Sequence, residues 1–473
     1  MRTIAYSLAW KEFREYRWDV LATMAVVLAI PLYYVVRDPE VVLFLIGVEL
    51  AVYPFIAGTF FGMRAAAGER ASGTAAFLWA LPVRPQVLGL AKVAAASMAV
   101  LLPLVPLVAF SELVERWLGA SSEYGALAWI HYLASAVATL AAMLVVASFG
   151  AAARSEVRVA TRGLLALVVL FIAGTVAMSW AERHIPLIRD ALLHPPGSWT
   201  RVTFYLVFPT AMLAIATPIL ATLCIAGYGR SIWPLTERRT GWLDIRGYSP
   251  ARLASPQAAL AWKDLREIAA MCVQVLALSL LLSLLIGVLT VPLRHVDVIR
   301  VGMHALSIAL WLGGFVLAIL IGVGTVAADL QPSVNTFWRS RPISASAWYW
   351  TKYALGMAAI VATIAIPTLI TLPYSGGTDV TRKGLLWSVL LWTLAFSLAL
   401  TMTCLVRQAL RASILTVGAV AILYSAVQIC YGSFSPWEPG APLGVLIAVF
   451  IVALVVSTLA GWWVAVRDMA LFQ

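Results

Sequence analysis

One charged heptapeptide is written twice in this chain, as AWKEFRE at 9–15 and AWKDLRE at 261–267, each time just before a long apolar run. The first copy supplies Trp10, Lys11, Glu12 and Arg14; the second supplies Trp262, Lys263, Asp264 and Arg266. Charged residues of this kind beside a Trp suit a helix lying along the membrane surface, or a plain water-exposed lead-in to a span. A second group of charges follows at Glu69, Arg70 and, after Gly73, Thr74 and Pro82, at Arg84 and Lys92. It has a counterpart about 260 residues on, a nearly constant offset that marks an internal repeat, in Asp329, Arg341, Pro342 and Lys352. A third feature is Glu49 in IGVELAVYP, an ionisable group inside an apolar run. Such a group costs about 2.5–3.5 kcal/mol to insert, which makes Glu49 a candidate for facing a pathway through the membrane. The alternatives are a place near the outer surface or a partner on a neighbouring helix. No H-E-x-x-H, no nucleophile beside a base and no G-x-x-x-x-G-K-[ST] occurs, so no catalytic residue, metal ligand or nucleotide site is expected here. Cys224, Cys272, Cys404 and Cys430 are scattered through apolar runs and read as small core residues.

The elements that hold these groups follow from composition. Of 473 residues, 62% are hydrophobic and 12% charged, against about 25% charged in soluble domains. About twelve runs reach the ~20 residues that a helical span requires. They lie near 20–36, 41–63, 93–111, 127–152, 162–180, 204–228, 269–292, 301–327, 353–373, 384–406, 412–431 and 442–466. The runs are continuous rather than alternating, so an all-α polytopic protein is expected and a barrel is not. The first run follows Arg2, Lys11, Glu12, Arg14, Glu15, Arg17 and Asp19 and leads into further spans, unlike a cleaved leader. The net charge of +11 is explained by basic residues gathered at one side, which places both termini in the cytoplasm. A nucleic-acid partner would need a basic soluble module, and none is present.

The repeats divide the chain into a first six-span half at 1–228, a cytoplasmic linker rich in Gly and Pro at 229–257, and a second half at 258–473. Helical projection gathers Tyr6, Ala9, Trp10, Phe13, Tyr16 and Val20 opposite Lys11, Glu12, Arg14, Glu15 and Asp19. This predicts an interfacial elbow helix over about 3–19, with a second over about 256–268 opened by Ser255 and Pro256. The loops at about 64–92 and 328–352 predict short helices broken at Pro82 and Pro85, with polar tips turned to a soluble partner. The aromatic group at 337–353 (Phe337, Trp338, Trp348, Tyr349, Trp350 and Tyr353) reads as an interfacial belt.

The spacing of Glu69, Gly73 and Thr74, followed by Leu81-Pro82-Val83-Arg84, Gly89 and Lys92, resembles the signature region of type-2 permeases of ABC exporters. The resemblance implies six spans after each elbow and a coupling helix in each loop that touches an ATP-binding subunit. It also implies re-entrant segments, here at 182–201 and 431–442. The partners implied are two copies of a separate ATP-binding subunit, which carry the ATP and Mg, and the lipid bilayer of a plasma or inner membrane. The second half departs from the pattern with Ser333-Val334 in place of Gly-Thr. Twelve spans in two halves also describe ion-coupled secondary transporters of the major facilitator type. Only a faint echo of that family's loop motif is present in GERASG.

Overall fold

Between Arg2 and Ile30 the sequence holds no glycine or proline, and the chain forms one helix, α1, from Arg2 to Arg37. At 1.5 Å per residue it is about 54 Å long, well beyond the ~30 Å of a hydrocarbon core. Residues 3–19, expected as a separate elbow, are therefore the opening part of one continuous helix. The same correction applies to 256–268, which runs without interruption into the following span as one helix from Pro256 to Thr290. Its start is as the sequence requires: the Ser255 hydroxyl accepts from the Ala258 N–H at 3.1 Å, ahead of Pro256.

A computed structural model describes residues 2–37, 39–72, 84–118, 122–149, parts of 159–170, 213–226, 255–290, 314–327, 329–330, 343–371, 379–431 and 443–470. After α1 come α2 (Pro39–Ser72), α3 (Pro85–Leu101), α4 (Leu104–Leu118) and α5 (Ser122–Ser148). Then follow α6 (Leu213–Ala226), α7 (Pro256–Thr290), α8 (Gly314–Ala327) and α9 (Ala345–Ile360). A five-residue π segment (Val361–Ala365) joins α9 to α10 (Ile366–Thr371). The chain closes with α11 (Asp379–Val406), α12 (Ala409–Tyr431) and α13 (Leu443–Ala470). No strand occurs among the described residues, and seven of their helical stretches are long and apolar enough to cross a membrane. The protein is an all-α membrane protein.

The chain forms two compact units, Met1–Pro234 and Leu235–Gln473. In the first, α2 lies along α5 and α1 lies against α3 and α2. The α2–α5 approach depends on glycine: a Cβ at Gly62 would sit 2.6 Å from the Met143 carbonyl oxygen. In the second, α7 packs on α9, and α11 packs on α13, α12 and α9. Here a Cβ at Gly322 would sit 2.7 Å from the Phe396 carbonyl oxygen. Trp387 meets Phe450 edge-on at 4.4 Å beside Leu394, forming an apolar cluster between α11 and α13.

The loops between the second and third spans are shorter than expected. Residues 64–72 belong to α2, and the third span of the first unit begins at Pro85 instead of near 93. Pro85 opens α3 because its missing N–H falls where no intrahelical acceptor exists. In the second unit α9 begins at Ala345 instead of near 353, capped by Ser344, whose hydroxyl accepts from the Ala347 N–H at 3.2 Å. The re-entrant segment expected at 182–201, and that at 431–442 apart from Tyr431, lie outside the described residues, as does most of the linker at 229–257.

Candidate functional site

An inward stripe on α1 determines what its charges do. Leu8, Glu12, Tyr16, Asp19, Val20, Thr23 and Val27 are all buried, while Trp10 and Trp18 are exposed. Glu12 and Asp19, two of the three acids expected on a solvated face, thus lie on the packed face among apolar residues. Each of the two has a basic partner from another helix. Lys92 on α3 donates to Glu12 Oε2 at 3.1 Å, with both side chains nearly closed to solvent. Leu8, Leu88 and Ala91 pack beside this pair. Two turns further along α1, Asp19 lies 3.2 Å from an Arg64 nitrogen on α2. The Arg64 guanidinium sits over the Tyr16 ring at 5.2 Å, and Tyr16 stacks on Phe61. Lys11 bridges outward to Glu15 at 3.5 Å, where both are half-exposed.

The second unit builds a larger version of the Glu12–Lys92 pair. Its inward stripe on α7 is Leu260, Asp264, Ile268, Met271 and Cys272. Lys352 on α9 donates to both oxygens of Asp264, at 3.1 and 3.0 Å. It also lies 2.7 Å from Asp329 Oδ2, in the turn after α8, and donates to the Thr325 carbonyl. Its ammonium sits over the Trp348 ring at 5.2 Å. Asp329 further accepts from Lys263 and, at 3.3 Å, from the Trp348 indole N–H. Lys352, Asp264 and Asp329 are buried, whereas Lys263 is one-third exposed. Two acids and two bases leave the cluster neutral. Burial opposes charge on Asp329, in the turn beyond α8, but Lys352 and Lys263 together outweigh it and hold that carboxyl below the ordinary value.

These contacts correct the reading of Lys92, Asp329 and Lys352 as groups offered to a soluble partner: all three are turned into the chain. Arg84, just ahead of α3, is exposed. Glu69 and Arg70 fall on the last turns of α2, while Gly73, Thr74, Pro82, Arg341 and Pro342 lie outside the described residues. The aromatic belt is also revised, since Trp348 and Tyr349 are buried and Trp350 is exposed, with Phe337 and Trp338 outside the described residues. Glu49 is the acid expected to face a pathway through the membrane. It lies between the buried residues Ile46 and Leu50 of α2. Its Oε2 is buried with no hydrogen-bond partner among the described residues.

Two features were not singled out from the sequence. The Asp19–Arg64 pair was signalled by a lone arginine inside the apolar end of α2. The other is a hydroxyl network joining α9, α11 and α13. Ser397 meets Ser457 at 2.8 Å and Thr458 at 2.9 Å, Thr401 donates to the Ser457 carbonyl, and Tyr349 donates to the Thr458 carbonyl. No group of three or more metal-ligating side chains occurs among the described residues. No known protein family matches the chain, and no curated protein is significantly similar to it.

Proposed function

We propose that the chain is the membrane permease of an ATP-driven exporter of the ABC type-2 class. On this reading it folds as twelve spans in two repeated six-span halves, in a plasma or inner membrane, with both termini in the cytoplasm. Two copies of a separate ATP-binding subunit bind and hydrolyse the nucleotide, and the loops after the second and eighth spans receive their motion. The chain itself performs no covalent chemistry.

The observation that carries this reading is the same buried acid–lysine bond at matching places in both units: Glu12 with Lys92, and Asp264 with Lys352. Each bond ties the helix that opens a unit to the helix that leaves the loop. A buried pair is costly to break, about 3–5 kcal/mol when one partner is removed. A push on the loop then displaces two helices together rather than bending one. Such a linkage suits a permease driven by an external engine, in which rigid parts rock against each other.

The test is capture and turnover. Tagged full-length chain solubilised from its native membrane should bring down an ATP-binding subunit, and a cysteine at Gly73 or Thr74 should cross-link to it. Transport in proteoliposomes should then require ATP. Transport by the chain alone on an ion gradient would refute the proposal and favour the secondary-transporter alternative.

A further inference from the structure

The third span of each unit is broken beyond its midpoint, at a comparable distance past its buried lysine. In the first unit the candidate span Pro85–Leu118 is interrupted at Leu102 and Pro103. Pro103 and Pro106 carry no N–H, so the carbonyls four residues before them lose their normal donors. The ladder adjusts: Leu102 still donates to the Met98 carbonyl, but Val105 reaches back only three residues to the Leu102 carbonyl. In the second unit Pro367 removes the donor for the Thr363 carbonyl. There the helix opens into the π segment Val361–Ala365, with the Ile366 N–H donating five residues back to Val361. The two units reach a similar result by different local chemistry. Sharp bends in helices concentrate at prolines and π bulges, where the hydrogen-bond ladder is weakest.

On the loop side of each break the helix is bound sideways. Lys92 ties α3 to α1, and Lys352 ties α9 to α7 and to the turn at Asp329. We propose that α3 with the start of α1, and α9 with the start of α7, each move as one body that pivots at Leu102–Pro103 or at Val361–Ala365. Glu12, Lys92, Asp264, Asp329 and Lys352 are then positioning residues: they touch no cargo, and they set which segments move together. This deepens the permease reading, on which it depends only for the source of the driving force.

The test uses full-length chain in lipid nanodiscs, with Cys224, Cys272, Cys404 and Cys430 replaced by alanine and spin labels placed in pairs. Arg14 with Ala94, and Leu265 with Trp350, report within the proposed bodies; all four positions are exposed. Ala94 with Leu113, and Trp350 with Ile370, report across the breaks, again from exposed positions. Without any other subunit, the within-body pairs should give one narrow distance and the across-break pairs a broader distribution. Deleting Ala362, which converts a π bulge to regular helix, should narrow the Trp350–Ile370 distribution. The substitution Lys352→Met should broaden Leu265–Trp350, with recovery in Lys352→Arg. Within-body distributions as broad as the across-break ones, or an Ala362 deletion without effect, would overturn the inference. Added ATP-binding subunit and nucleotide should shift the across-break pairs by several ångström and leave the within-body pairs in place. A nucleotide-independent system that keeps the narrow and broad pattern would sustain the pivots and refute the ATP-driven reading.

Discussion

Replacing Lys352 with methionine preserves chain length and apolar volume while removing the one cation that two buried acids share. In the native protein its ammonium lies 3.1 and 3.0 Å from the Asp264 oxygens and 2.7 Å from Asp329. Without it Asp264 loses both of those bonds, whereas Asp329 keeps Lys263 and the Trp348 indole. Removing one member of a buried pair costs about 3–5 kcal/mol. The cost does not double, because Lys263 retains part of the charge balance and Asp264 can take up a proton. The double variant Asp264→Leu/Lys352→Met removes the orphaned acid as well. Since apolar replacement of a whole buried pair is often neutral, it should recover at least about half of the loss. Reversible unfolding of the full chain in mixed micelles, followed by circular dichroism, measures both values. A single variant within about 1 kcal/mol of the native protein would show that water reaches this network and that its magnitude was misjudged. So would a double variant no better than the single one, because the coupling between the two groups would then be absent.

At neutral pH, Asp329→Asn should destabilise, because Lys352 and Lys263 hold that carboxyl below its ordinary value and so favour its charged form. The stability from Asp329 is present above its unfolded value and lost as pH falls through the lowered folded one. Unfolding titrations from pH 7 downward measure that loss. Gly62→Ala and Gly322→Ala should each cost about 1–3 kcal/mol by pushing on backbone carbonyls. Gly47→Ala and Gly444→Ala, where no other helix among the described residues comes within 4 Å of the new Cβ, should be neutral or gain about 0.5–1 kcal/mol in the same assay. Arg64→Met should cost about 3–5 kcal/mol, since its partner Asp19 is fully buried. Lys11→Met, at a side chain 48% exposed, should change stability by no more than about 0.5 kcal/mol.

The membrane character and helical class were legible because they depend on sums over long runs, which no local exception overturns. The importance of Lys11, Glu12, Lys92 and their later counterparts was legible from their recurrence. Their direction was not. The helical projection of 3–19 assigned its charged side to water, because a charge without a partner belongs there. The partners are supplied by residues far away in sequence, Lys92 for Glu12 and Lys352 for Asp264. A signal was nevertheless present. Leu8, Glu12, Tyr16 and Val20, like Leu260, Asp264, Ile268 and Cys272, follow a four-residue spacing that places each acid within an apolar stripe. Helix continuity from Arg2 to Arg37 follows from the same fact, since a helix whose acids are paired inside has no reason to turn aside at the surface. Pro103 and Pro106 fall inside the run near 93–111 expected as one span, and the π segment at 361–365 depends on how Pro367 is accommodated by packing.

The distance along the chain between Glu12 and Lys92, 80 residues, also sets an order of events during synthesis. When α1 leaves the ribosome, the cation that neutralises Glu12 has yet to be made. The newborn helix must therefore rest with that carboxylate at the watery boundary of the bilayer and sink to its final depth only after the third span arrives. The 88 residues between Asp264 and Lys352 impose the same wait on the second unit. A nascent chain halted before residue 92 should remain accessible to aqueous reagents around Glu12, and become shielded once a few dozen more residues have emerged.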